Sequence, residues 1–385
     1  MKYILAVSTI LIFKGCKKED QTSETVEPTK TANDSAKSIF IVIKSNTNVS
    51  SIAAYNANGN FLWDHSFPGI ITFWSNMDIS EYNVFLTNYY HLESINTMSG
   101  NTNWNYANSG NLVVPKIEND TIVSASSIIP PSTANKLVLF DKTTGSVLWS
   151  KAITDQPIAT PFLNGGKVFS ITTYSSGVVF RLSSYDVASN SLLWQTTLSN
   201  NFTVVKTTDF IVRHNTLIVG MSTGVLYAVN INNRNLYWSV AFNTNKSYLY
   251  NNQIVYNNLN TGKITYRSLK DGTIIKSYAT LQYLATSGET SYIYNNSYYS
   301  KSLDSVFCTS LTDGTIKFRT YHPGYFEKFI VVGDNLYDSQ MYYNSTEESK
   351  LMILNTADFT AKDSIIVSKV QLVNFSILSS QGIFY

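Results

Sequence analysis

The sequence predicts an all-β protein, a β-propeller read most directly as eight blades of four antiparallel strands, with seven blades as the alternative. Two observations carry that prediction. The first is composition. Of 385 residues, 26 are Tyr and 20 are Phe, while only 14% are charged. Aromatic and β-branched residues favour strands, and the Asn, Ser and Thr that crowd the gaps between apolar runs favour turns. The second is a period. Trp63, Trp104, Trp149, Trp194 and Trp238 recur at intervals of 41, 45, 45 and 44 residues. A repeat in the low forties with several short strands per period suits a propeller blade.

The text around each Trp repeats as well. IAAYNANGNFLW (52–63), LVLFDKTTGSVLW (137–149), LSSYDVASNSLLW (182–194) and LYAVNINNRNLYW (226–238) share one plan. An apolar strand runs into a polar turn, and the next strand begins near the Trp. Four residues before each Trp stands Gly59, Gly100, Gly145, Asn190 or Arg234. Gly and Asn are the residues that best tolerate a positive φ. Degenerate copies at 264–276, 307–318 and 351–363 extend the series to eight, with Gly272, Gly314 and position 359 at the turn.

Each element has a physical job in this plan. Inner strands such as KLVLFD (136–141) are apolar on both faces, as required of a sheet packed between two neighbours. The Trp rings are expected to wedge between adjacent blades, with each indole N–H reaching a backbone acceptor. Asp141 and Asp186 end their strands and are expected to accept backbone N–H bonds across the turn that follows. The segment 38–45 leads straight into the first hairpin, so that blade lacks an opening strand. Residues 373–385 look like the missing strand. Pairing the two ends would join the ring and remove exposed edges; the final GIFY (382–385) has no assigned role.

Residues 1–15 have the layout of a secretory signal: Lys2, then an apolar stretch too short to span a bilayer as a stable helix. Gly15-Cys16 resembles a lipoprotein lipobox of the looser kind found in Bacteroidota, which makes Cys16 the expected lipidation site and membrane anchor. Residues 16–37 are polar and read as a tether, because they carry too little apolar surface to offset ordering. The propeller is assigned to 38–385.

Chemical motifs are sparse. The 28 basic and 26 acidic residues are mixed along the chain, for a net charge of +2, which argues against nucleic acid as a partner. Cys308 reads as a small buried hydrophobe. His65, His91, His214 and His322 share no metal-ligand spacing, and His65 with Asp64 reads as a surface pair. No serine elbow or glycine-rich phosphate loop is present. No catalytic group, metal or cofactor is expected. Tyr89, Tyr90, Tyr298, Tyr299, Tyr342 and Tyr343 lie beside Asn, Ser and Thr and form a candidate binding surface for a glycan or a protein loop. The competing reading takes them as strand aromatics followed by turns.

The tract DKTTGSVLW (141–149) and its echoes resemble the pyrroloquinoline-quinone-like propeller repeat. That family includes quinone-dependent dehydrogenases and non-enzymatic members, among them a propeller lipoprotein of the outer-membrane β-barrel assembly machinery. The dehydrogenases commonly carry an adjacent cysteine pair and a calcium site rich in acidic groups, and this sequence has neither. The resemblance therefore implies a non-catalytic envelope lipoprotein of the outer membrane that binds other envelope proteins through one rim of the ring. Surface glycan binding is the alternative, and a quinone-dependent dehydrogenase stands third.

Overall fold

The computed structural model describes residues 39–45, 50–56, 60–67, 77–80, 82–87, 91–107, 111–112, 115–127, 135–174, 179–199, 211–221, 224–241, 247–258, 261–279, 291–301, 305–321, 329–340, 349–368, 371–379 and 382–384. The leader, Cys16 and the tether lie outside them, as do Gly59, Tyr89, Tyr90, Tyr342 and Tyr343.

Strands are the only regular structure among the described residues, and they form a β-propeller. Eight hydrogen-bonded sheets follow one another along the chain. Seven are cut from consecutive strands, and they span 77–107, 111–153, 156–199, 211–241, 247–279, 291–321 and 329–368. These are the second to eighth sheets. The first is composite. Ile39–Ser45, Ser50–Asn56 and Phe61–Phe67 are joined by Gln371–Ser379, which pairs antiparallel with Ile39–Ser45 and places Ile41 opposite Ser376. The two ends thus close the ring. Gly382–Phe384 folds back on Gln371–Ser379 as a fifth strand, which accounts for the segment left without a role.

Turn chemistry sets the strand register. The connections between first and second strands include Gly165-Gly166, Asn251-Asn252 and Asn295-Asn296, all at positive φ. Two central residues at positive φ define the tight hairpin turn whose twist matches that of the strands. The connections between third and fourth strands are longer. In the second, third, fifth, sixth, seventh and eighth sheets, the N–H of the turn residue bonds the carbonyl four residues earlier, as in Gly100 to Asn96, Gly145 to Asp141, Gly272 to Ser268 and Gly314 to Ser310.

The core lies between sheets. Ile52, Ala54 and Trp63 of the first sheet pack on Met77, Ile79, Val84 and Leu86 of the second. Phe169, Leu182 and Trp194 of the fourth pack on Leu217, Val219 and Tyr227 of the fifth. Tyr299, Val306 and Cys308 of the seventh pack on Val331, Leu336 and Leu354 of the eighth. Four further clusters bridge the remaining successive pairs from second to seventh. The middle strands of the second to seventh sheets are therefore covered on both faces, as the apolar runs of the sequence require.

Candidate protein-binding surface

The hairpin between third and fourth strands is the unit from which the outer surface is built. Its turn residue sits in the left-handed region at Gly100, Gly145, Asn190, Arg234, Gly272, Gly314 and Phe359, with φ between 52° and 77°. Four of these glycines are fixed by contact as well as by φ. A Cβ on Gly100 would lie 2.7 Å from the Trp63 ring, on Gly145 2.5 Å from Trp104, on Gly272 2.7 Å from Trp238, and on Gly314 2.3 Å from Tyr278. The turn of one sheet is thus seated on the aromatic ring of the sheet before it.

The indoles complete that joint. Trp63 Nε1 donates to the Thr97 carbonyl (2.9 Å), Trp104 to Lys142 (3.1 Å), Trp194 to Ile231 (3.3 Å) and Trp238 to Leu269 (3.0 Å). In the sixth sheet Lys276 stands in the Trp place, and its Nζ donates to the Leu311 carbonyl of the seventh (3.3 Å). The Trp149 ring is buried in the same way, although its Nε1 has no hydrogen-bond partner among the described residues.

The turn carboxylates act as expected. Asp141 accepts the N–H groups of Thr143 (2.9 Å) and Thr144 (2.7 Å), and Asp186 accepts the N–H and hydroxyl of Ser189 (2.7 and 2.6 Å). These bonds hold both carboxyls below the usual range. Asp271, Asp313 and Asp358 do the same job from within the turn, bonding Thr273, Thr315 and Thr360. The Thr315 bonds bring Asp313 down to about 2.

Beyond each turn the fourth strand carries a β-bulge. Leu139 pairs Trp149 while Phe140 pairs Val147, which leaves Leu148 as the extra residue. The same shift isolates Leu62, Asn103, Leu193, Tyr237, Ile275, Lys317 and Lys362 in the other sheets. A bulge breaks the inward–outward alternation, so two successive residues can both face solvent. They do so here. Phe61-Leu62, Val147-Leu148, Leu192-Leu193, Leu236-Tyr237 and Ile274-Ile275 are 42–58% exposed. Four of these five pairs fall on successive sheets, the third to the sixth, so that exposed apolar pairs recur along an arc of edge strands. Sequence reasoning missed this surface. The triplets FLW, VLW, LLW and LYW carried the signal, because three successive apolar residues on an edge strand cannot all face inward.

Beside the arc, a cavity of about 420 Å³ opens between the fifth and sixth sheets. Arg213 and His214 line it from the fifth sheet, and Asn251, Asn252, Lys270 and Ile275 from the sixth. Arg213 Nε donates to Asn252 Oδ1 at 3.1 Å, which fixes the guanidinium across the opening.

Tyr298 and Tyr299 correct the sequence reading. They are 1% and 4% exposed and belong to the inter-sheet core, so they offer no binding surface. Burial raises both phenols, Tyr298 to about 12. Their strand alternates between two packed faces, which the polar neighbours in the sequence concealed. His65 is corrected too. Its Nε2 lies 3.1 Å from Glu93 Oε2 and its Nδ1 lies 3.1 Å from the Gly100 carbonyl, so it ties the first sheet to the second instead of forming a surface pair. Cys308 is buried as expected, and burial raises its thiol.

Among known proteins, a family described as outer membrane protein assembly factor BamB matches residues 35–239 and 161–291. No curated protein matches. Solved structures share the fold at low identity. BamB from Moraxella catarrhalis is 14% identical over 78% of this chain and 88% of that one, with a TM-score of 0.55. AztD from Citrobacter koseri, in its apo form, is 8% identical over 89% and 98%, with a TM-score of 0.63. The dihydro-heme d1 dehydrogenase NirN, in complex with DHE, is 10% identical over 91% and 77%, with a TM-score of 0.60.

Proposed function

From the premise that this chain belongs to the outer membrane protein assembly factor BamB family, we propose that it is a non-catalytic envelope lipoprotein, anchored through Cys16, that holds other envelope proteins against its outer rim. One observation carries the reading. The bulged edge strands of four successive sheets turn Val147-Leu148, Leu192-Leu193, Leu236-Tyr237 and Ile274-Ile275 into solvent. Singly scattered exposed apolar residues need no explanation, whereas the same exposed apolar pair repeated on four successive edge strands supports an interaction surface. The bulges also deny the edges a flat register for indiscriminate strand pairing, so the surface favours side-chain docking over aggregation.

The test places a photo-crosslinking benzoylphenylalanine at Leu148, Leu193, Tyr237 or Ile275 in living cells, with Asn103, the polar bulge residue of the second sheet, as control. Discrete protein adducts at the four arc positions, absent at the control, are expected. Equal or absent labelling at all five would contradict rim binding. The anchor is tested separately: Cys16→Ala should move the protein from the membrane fraction to the soluble one.

A further inference from the structure

We infer that the cleft between the fifth and sixth sheets is a peptide-binding site that takes an acidic side chain flanked by large apolar residues, an inference that rests on the rim-binding reading and names the chemistry of what docks there. The cleft lies at the end of the apolar arc, and Ile275, one of the bulge residues, forms part of its lining. Its charged lining is cationic: Arg213 and Lys270, with His214 beside them and no Asp or Glu among the lining residues. Among the described residues, the two Nη nitrogens of Arg213 and the Nζ of Lys270 have no hydrogen-bond partner, while Arg213 Nε is held by Asn252. The nearby carboxylate of Asp271 is engaged by the N–H (3.1 Å) and hydroxyl (2.7 Å) of Thr273 and lies within the field of Lys270, so Arg213 is the cation with donors left for a ligand. A planar guanidinium fixed at one nitrogen presents its remaining donors as a fork, the geometry that receives a carboxylate.

Two features favour a peptide as the occupant. The cations line a concave space of about 420 Å³, a volume that a side chain enters and a bilayer surface does not. The walls are amides and hydroxyls, namely Asn251, Asn252, Gln253, Thr216 and Ser268, which can pair a peptide backbone in both donor and acceptor senses. The exposed Leu236, Tyr237, Ile274 and Ile275 then receive apolar neighbours of the acid. Opposite charge in the cleft sets orientation, and the apolar shoulder supplies affinity.

The experiment selects a phage-displayed random dodecapeptide library against the full-length protein in detergent. Binding of the enriched peptides is then measured by fluorescence anisotropy. Enriched peptides should carry Asp or Glu beside Leu, Ile, Phe or Tyr. Replacing that acid by its amide should weaken binding about fivefold or more, and so should the double variant Arg213→Gln, Lys270→Gln. Lys136→Gln, an exposed lysine of the third sheet, should leave binding unchanged. Ile275→Ser should weaken the same peptides with the charges intact, and matching melting curves confirm that each variant folds. Enrichment of peptides without an acid, equal binding by the double variant, or no enrichment would overturn the site. Retention on phosphatidylglycerol vesicles that depends on Arg213 and Lys270, with no peptide selected, would overturn it in favour of a lipid. Rim crosslinks that persist while the selection fails remove the cleft alone; selection that succeeds without crosslinks removes the adaptor reading instead.

Discussion

At the residue scale, the turn position after each third strand is where chemistry and packing meet. Gly100 and Gly314 are held both by positive φ and by a ring where a Cβ would go. Gly100→Ala and Gly314→Ala should each cost about 2 kcal/mol or more, since the left-handed conformation alone costs an L-residue roughly 1–2. Arg234 occupies the same conformation (φ 64°) with a side chain. Arg234→Gly should therefore be neutral or stabilise by up to about 1 kcal/mol. Urea denaturation of the three variants checks both signs. Asp313 supplies a pH test. Its folded carboxyl titrates at about 2, below the roughly 3.9 of an unfolded Asp. Its contribution is present above the unfolded value and is lost as pH falls through the folded one. Melting temperature should decline between about pH 4 and pH 2, and Asp313→Asn should flatten part of that decline. Cys308, buried and with a raised thiol, should resist thiol reagents until the protein is unfolded.

At the element scale, the repeating joint is a ring from one sheet seated under the turn of the next. Trp194→Ala should cost about 3–5 kcal/mol, as for other buried aromatic side chains, and calorimetry reads it directly. Much of this joint was legible in the sequence. The Trp interval marked the sheets, the Gly four residues earlier marked the turns, and Asp141 and Asp186 behave as their positions require. The rest was hidden for identifiable reasons. Alternation predicts one outward residue where the bulge turns out two, so the sequence did not mark Leu148 and Ile275 as surface. Tyr298 and Tyr299 sit among Asn and Ser, yet their strand is covered on both faces. Lys276 replaces an indole but reaches the same kind of acceptor, the Leu311 carbonyl, a substitution that periodicity alone reads as decay. His65 and Glu93 are 28 residues apart, and only the meeting of first and second sheets brings them together.

At the scale of the whole molecule, the arc and the cleft depend on a ring that holds its sheets in fixed order. Every core cluster among the described residues joins neighbours in that order, so stability accumulates sheet by sheet, as in other repeat folds. Among the described residues, the one strand pairing that is not local in sequence is that of Ile39–Ser45 with Gln371–Ser379. The measurement that addresses it most directly is a disulfide across that pair. In a Cys308→Ala background, Ile41→Cys with Ser376→Cys, and separately Val42→Cys with Phe375→Cys, should crosslink on mild oxidation, because residues opposed in antiparallel strands lie roughly 4.5–5.5 Å apart. The bond should raise unfolding stability by about 2–4 kcal/mol and leave the crosslinks at Leu148 and Ile275 unchanged. Thiols that stay free in both pairs under oxidising conditions would show that the chain does not return to meet its own start, and the closed ring would be wrong.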